Sequence, residues 1–147
     1  MNGFEIDKRA LRQAFSRAAA GYDSAAVLQR EVCGRMLERL DTVRISPVRL
    51  LDAGCGTGWG TRQLAQRYPQ AGIVALDIAP GMLREARARS GFWQALLGRR
   101  KQGLLCADVE ALPLAPACMD MIWSNLTLQW CNNLPDTISG LHRVLKV

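Results

Sequence analysis

Histidine is nearly absent from this chain: His142 is the only one, and it falls in a helical pattern near the end, so a histidine-based catalytic triad has no support. Cysteine is present but unpatterned. Cys33, Cys55, Cys106, Cys118 and Cys131 make an odd count without a C-x-x-C pair, which argues against a disulfide framework or a cysteine zinc site and fits reduced thiols used as small buried filler. No apolar run is long enough to span a membrane, and the stretch from Met1 to Phe15 is charged and amphipathic without the apolar core of a signal peptide. A cytoplasmic protein is expected. Internal repeats and low-complexity linkers are also missing, so the 147 residues, 49% of them hydrophobic, are expected to form one domain. Acids are the minority, 13 against 19 lysines and arginines, giving a net charge of +6. This fits either solvated helix faces or an anionic partner. The arginines are spread through helical segments without an aromatic-interleaved patch, which disfavours nucleic acid.

Against these absences stands one dense motif. Arg49-Leu50-Leu51-Asp52-Ala53-Gly54-Cys55-Gly56-Thr57-Gly58 is an apolar run ending in an acid and then alternating glycines. That pattern predicts a buried strand breaking into a tight loop that holds a nucleotide-like ligand. Glycines at 54, 56 and 58 permit positive φ and let a ligand approach the main chain. A dinucleotide fingerprint would place Gly or Ala at position 59, where close helix–strand packing needs a small residue. Trp59 stands there, so a nicotinamide-dependent oxidoreductase ranks last. The form D-x-G-x-G-x-G resembles motif I of class I methyltransferases, which bind S-adenosylmethionine (AdoMet).

Three further segments extend the pattern. Gly72-Ile73-Val74-Ala75-Leu76-Asp77 ends in an acid 23 residues beyond Gly54, where a doubly wound fold places its ribose-binding carboxylate. Gly103 to Glu110 predicts a third strand, with Asp108 suited to an adenine amino group, and Met119 to Leu126 a fourth, with Asn125 at its carboxyl end. Ligands of open parallel sheets bind at strand carboxyl ends, so Gly54, Asp77, Asp108 and Asn125 are expected to converge on one crevice. The fold expected is α/β, a Rossmann-like, mostly parallel sheet.

Around this core lie helical patterns. Leu11, Phe15 and Ala18 share one face of a first helix; Leu28, Val32, Met36 and Leu40 share one face of a second; Ile138, Leu141 and Leu145 are expected to face inward from the last. Thr61 to Tyr68 suits the helix after the glycine loop, and Pro80 opens the helix after Asp77.

A family resemblance rests on these blocks together with three others: Ala14-Phe15-Ser16-Arg17-Ala18-Ala19-Ala20-Gly21-Tyr22-Asp23 with Leu28-Gln29-Arg30, Asp108-Val109-Glu110-Ala111-Leu112-Pro113-Leu114, and Trp123-Ser124-Asn125-Leu126-Thr127-Leu128-Gln129-Trp130-Cys131. Over nearly its whole length the chain resembles the malonyl-acyl-carrier-protein O-methyltransferases of biotin synthesis. The resemblance implies AdoMet as cofactor and malonyl-acyl carrier protein or malonyl-CoA as acceptor, with residues 1–46 folding over the cofactor as lid helices and 47–147 forming the core. It implies Tyr22 as the catalytic residue. Its implied cofactor contacts are Gln29, Asp52, Gly54, Gly56, Gly58, Asp77, Ile78, Met82, Asp108, Val109, Asn125 and Leu126, with no metal. Two departures accompany it. Gly91 to Lys101 is longer than the family's usual connection, and Val147 falls about where the family continues into further strands and the rest of the acceptor pocket. The expectation is therefore the cofactor-binding half of such an enzyme. Another small-carboxylate methyltransferase, or a fragment that binds AdoMet without turnover, remains an alternative.

Overall fold

A computed structural model describes residues 5–97 and 103–146. Three N-terminal helices, α1 (Lys8–Ala18), α2 (Tyr22–Ala25) and α3 (Val27–Arg39), precede β1 (Arg49–Ala53), α4 (Trp59–Arg67), β2 (Gly72–Asp77), α5 (Pro80–Leu97), β3 (Gly103–Cys106), β4 (Met121–Trp123) and α6 (Leu134–Val144). The strands form one parallel sheet in the order β3-β2-β1-β4. The chain steps outward from β1 to β3, then returns to place β4 on the other side of β1. The space above the ends of β1 and β4 is thus the topological switch point where such sheets bind ligands.

Alternation along each strand divides the core. Leu50, Ile73, Met121 and Trp123 pack with Cys33 and Leu64 under α3 and α4, while Leu51, Leu76, Val109, Met119 and Val144 pack on the opposite face under α6. A fully buried Leu contributes about 1.5–3 kcal/mol relative to exposure, so Leu50, Leu51, Leu64 and Leu76, each 0–1% exposed, supply much of the core's stability. Local caps define where elements begin. Asp7 accepts the amides of Arg9 at 2.8 Å and Ala10 at 3.0 Å and starts α1, a cap worth about 1 kcal/mol. Asp120 accepts the Val48 and Arg49 amides and the Lys146 ammonium, tying the entry of β1 to the residues after α6. Leu145 forms a parallel bridge with Met119 beside β4.

The structure shifts four of the expected elements. On α3 the buried residue is Cys33, with Met36, Leu37 and Leu40 packing beside it, and Leu28 is 64% exposed. On α6 the inward stripe is Thr137, Leu141 and Val144, while Ile138 is 52% exposed and Leu145 lies past the helix. The third strand ends at Cys106, leaving Asp108 to cap a 3₁₀ turn, and the fourth ends at Trp123, two residues before Asn125. In each case the apolar run outlasts the hydrogen-bonded ladder. Of the long connection 91–101, the backbone continues α5 through Leu97, and the rest lies outside the described residues. Among the described residues no helix is long and apolar enough to cross a membrane.

Candidate functional site

A cavity of about 240 Å³ opens above the carboxyl ends of β1, β2 and β4, beneath α1 and the start of α3. Its floor is built by the glycine loop. Leu76 has its carbonyl at the end of β2, and the amides of Gly54 and Cys55 both donate to it, at 2.8 and 2.9 Å. The Gly56 amide donates to Asp77 Oδ2 at 2.9 Å, and the Ala79 amide donates to Oδ1 at 2.8 Å. Asp77 therefore holds the loop in shape while lining the cavity. Burial raises its pKa, and the amides of Ala79, Gly56 and Ile78 pull the other way by stabilising the ionised form.

Three glycines of the loop have positive φ, 84° at Gly54, 54° at Gly56 and 81° at Gly58, but they serve different neighbours. A Cβ on Gly54 would overlap the Thr127 side chain, 2.7 Å from its Cβ, and one on Gly58 would press Ala86 at 3.1 Å. Only at Gly56 would an added Cβ meet open space. Of the three, Gly54 and Gly56 line the cavity; Gly58 is not on its wall and instead lets α4 begin close to α5, while Gly54 also makes room for Thr127.

The other expected site residues, Tyr22, Gln29, Asp52, Gly54, Gly56, Asp77, Ile78, Met82, Asp108, Val109, Asn125 and Leu126, all line this one cavity. Asp52 is 2% exposed and accepts the Thr61 hydroxyl at 2.6 Å; burial pushes its carboxyl up to about 7. Burial, and then the Asp77 charge, raise the Tyr22 phenol, which stays protonated at neutral pH and is available as a hydrogen-bond donor. Asn125 Nδ2 donates to the Gln29 carbonyl at 2.9 Å, while Asn125 Oδ1 is buried without a partner. An orphaned buried acceptor facing a cavity suits a donor brought by a ligand.

Several lining residues carried no decisive signal in the sequence. Lys8 forms ion pairs with Asp108, at 3.3 Å, and with Glu110, closing α1 over the end of β3. Arg30 donates to the Asp23 carbonyl and lines the cavity; among the described residues it has no carboxylate partner. Asp23 in turn accepts the Thr57 hydroxyl at 2.5 Å and pairs with Arg89, joining α2 to the loop and to α5. Phe15 stacks edge-on against both Tyr22 and Trp130, with ring centroids 6.4 and 5.5 Å apart, to form an aromatic wall. Charged residues on a helix look alike in sequence whether they face water or a cavity, and the blocks Phe15 to Asp23 and Trp123 to Cys131 were what pointed to this wall. All five cysteines are free; Cys33, Cys55 and Cys131 line the cavity, and burial pushes the Cys33 thiol up to about 12, so it stays neutral. His142 is exposed on α6 and away from the wall.

An open parallel sheet with a glycine loop after β1 and acids at successive strand ends defines a doubly wound protein of the nucleotide-cofactor class. Residues 51–147 match the family model described as a methyltransferase domain, and the chain belongs to that family. It is 64% identical over 146 residues to a malonyl-[acyl-carrier protein] O-methyltransferase of Gallionella capsiferriformans, covering 99% of this chain and 50% of the relative. It is 49% identical to the protein of the same name from a Methylovorus species, covering 99% and 49%. The chain thus spans about half the length of the curated relatives it matches. Among solved structures, a putative S-adenosyl-L-methionine-dependent methyltransferase of Methanococcus maripaludis superposes with a TM-score of 0.76 at 21% identity, over 99% of this chain and 63% of that one, a likeness of fold.

Proposed function

We propose that this chain is the AdoMet-binding half of a methyltransferase that esterifies the free carboxyl of a malonyl thioester, malonyl-acyl carrier protein or malonyl-CoA, as in biotin synthesis. The observation that carries the reading is the convergence of Asp77, Asp108 and the unpartnered Asn125 Oδ1 on one cavity at the switch point, in a chain whose 64% identical relative bears that name. The donor set fits AdoMet. Asp77 accepts the ribose hydroxyls, and Asp108 and the Val109 backbone hold the adenine edge, with Ile78 and Met82 as apolar walls. Arg30, the cavity's cation without a carboxylate partner, pairs with the methionine carboxylate.

The cofactor supplies an electrophilic methyl on a sulfonium. An acceptor carboxylate is ionised near pH 7 and needs no general base. The protein's task is to orient and to exclude water, and orientation of this kind can contribute roughly 7–11 kcal/mol. Tyr22 donates a hydrogen bond at the reacting end, Gln29 and Asn125 position the neighbouring backbone, and the lid helices with Phe15 and Trp130 keep water out. Trp59 on the cavity wall, in the place of a small residue, disfavours a dinucleotide.

The test is calorimetric titration of the 147-residue chain with AdoMet and with NAD, followed by an assay of methyl transfer to malonyl-acyl carrier protein. Saturable AdoMet binding, weakened roughly tenfold to a hundredfold by Asp77→Ala as expected for charge-assisted hydrogen bonds of about 1.5–3 kcal/mol, supports the reading. A folded chain that ignores AdoMet rejects it.

A further inference from the structure

The arginines that look dispersed in the sequence are partly gathered by the fold. Helix α1, KRALRQAFSRA, carries four cations and no acid. Its Lys8, Leu11 and Phe15 turn into the cavity, and Lys8 is neutralised there by Asp108 and Glu110. The other three cations, Arg9, Arg12 and Arg17, rim a shallow depression on the opposite side of the same helix, together with Gln13, Ser16 and Pro80 at the start of α5. All three arginines are exposed, and among the described residues none pairs with a carboxylate. Of the acids just before the helix, Asp7 spends its carboxylate on the amides of Arg9 and Ala10. The result is an uncompensated positive face.

We propose that this face of α1 is the docking surface for the acceptor's carrier, a protein presenting an acidic helix; the proposal rests on the malonyl-thioester reading above. Charge complementarity selects the occupant. Three guanidinium groups around one depression match the carboxylates of an acidic helix laid across them, and each guanidinium offers a bidentate donor pair. Position supports it as well. The docking face and the cavity wall are two sides of one helix, so a docked carrier stands about 10–12 Å from the cavity, one helix diameter, with its prosthetic arm left to cover the rest. The depression holds no aromatic side chain for base stacking and no exposed apolar stripe for insertion into lipid, which sets nucleic acid and membrane aside as occupants.

The experiment uses the 147-residue chain and three Arg→Gln changes made together, Arg9→Gln, Arg12→Gln and Arg17→Gln. Affinity for malonyl-loaded acyl carrier protein is measured at low and high salt, and AdoMet and malonyl-CoA are titrated in parallel. Exposed ion pairs change affinity about 1.5- to 5-fold each, so the triple variant is expected to bind the carrier roughly tenfold more weakly and to lose most of the salt dependence. Its affinity for AdoMet and for malonyl-CoA is expected to stay as in the parent chain. Carrier binding equal in both chains, absent from both, or outcompeted by duplex DNA or anionic phosphatidylserine vesicles overturns the docking surface. Absence of AdoMet binding by a folded parent chain instead overturns the underlying reading, and the docking proposal falls with it.

Discussion

Asn125, two residues past the end of β4, donates its side-chain amide to the backbone carbonyl of Gln29 on α3 at 2.9 Å, so the tip of the core sheet holds the N-terminal helices directly. The same side chain keeps a buried oxygen without a partner. Asn125→Ala removes the link and the acceptor together. A net hydrogen bond is worth about 1 kcal/mol, so the melting temperature should fall by about 2–4 °C. AdoMet affinity should drop as well. Asn125→Asp keeps an oxygen toward the cavity but sets a carboxylate against the Gln29 carbonyl, and it should be the less stable of the two. Thermal melts with and without AdoMet check both; unaltered melting in Asn125→Ala would show that the link carries no weight.

Gly54 and Gly56 separate folding from binding. An alanine at Gly54 must accept a φ of 84° and push into Thr127, costs of about 1–3 kcal/mol each, so Gly54→Ala should be severely destabilised or fail to fold. At Gly56 the added methyl meets nothing within 4 Å, and the cost is the left-handed backbone alone, about 1–2 kcal/mol. Gly56→Ala should fold and yet lose AdoMet, because its methyl enters the cavity. Urea unfolding paired with AdoMet titration distinguishes them, and equal destabilisation of the two variants would contradict the geometry.

Asp52 makes stability depend on pH. Burial holds its carboxyl up to about 7 in the folded chain, against an ordinary 3.8. Below about pH 4 the group is protonated in both states and costs nothing; between about 4 and 7 the folded chain retains a proton that the unfolded chain has released. Stability therefore falls as pH rises through that window and levels off above it. Asp77, also raised by burial, adds in the same direction. Asp52→Asn should flatten most of the slope between pH 5 and 7.5 in urea midpoints, and parallel profiles for the two chains would exclude Asp52 as the source.

The strand-end acids were visible in the sequence for a physical reason. In β1 and β2 a buried apolar run closes on a polar residue: Asp77 is the last pair of the β2–β3 ladder, and Asp52 is the last of the β1–β4 ladder, one residue before β1 ends at Ala53. At β3 and β4 the runs Gly103–Asp108 and Met119–Asn125 continue past the last ladder pair, so the same signal located the site residues while overstating the strands. The helical stripes were harder to place. Leu28, Val32, Met36 and Leu40 share one apolar face in the sequence, and only packing against the sheet decides that Met36 and Leu40 are covered while Leu28 stays in water. The ion pairs of Lys8 with Asp108 and Glu110, and of Asp23 with Arg89, were invisible because each depends on a residue far away in the chain.

Gly81 tests whether α1 must lie close to α5. Its amide donates to Ser16 Oγ at 3.2 Å, and an added Cβ would stand 2.6 Å from Ser16 Cα and 2.9 Å from its carbonyl carbon. Those are backbone atoms of another helix and cannot rotate aside. In an exposed helix Gly→Ala stabilises by about 1 kcal/mol, so propensity alone predicts a firmer protein. The overlap predicts the opposite near this contact: α1 must move off α5, taking Lys8, Leu11 and Phe15 away from the cavity. The core sheet should survive, because its buried layers do not include Gly81. In Gly81→Ala, trypsin should cut faster at Lys8, Arg9, Arg12 and Arg17 and AdoMet should bind more weakly, while the far-ultraviolet circular dichroism changes little. Ser16→Ala, which loses one hydrogen bond and no space, should show a much smaller effect on both measurements. If Gly81→Ala resists trypsin as well as the parent chain does, helix propensity has won and α1 does not depend on this close approach.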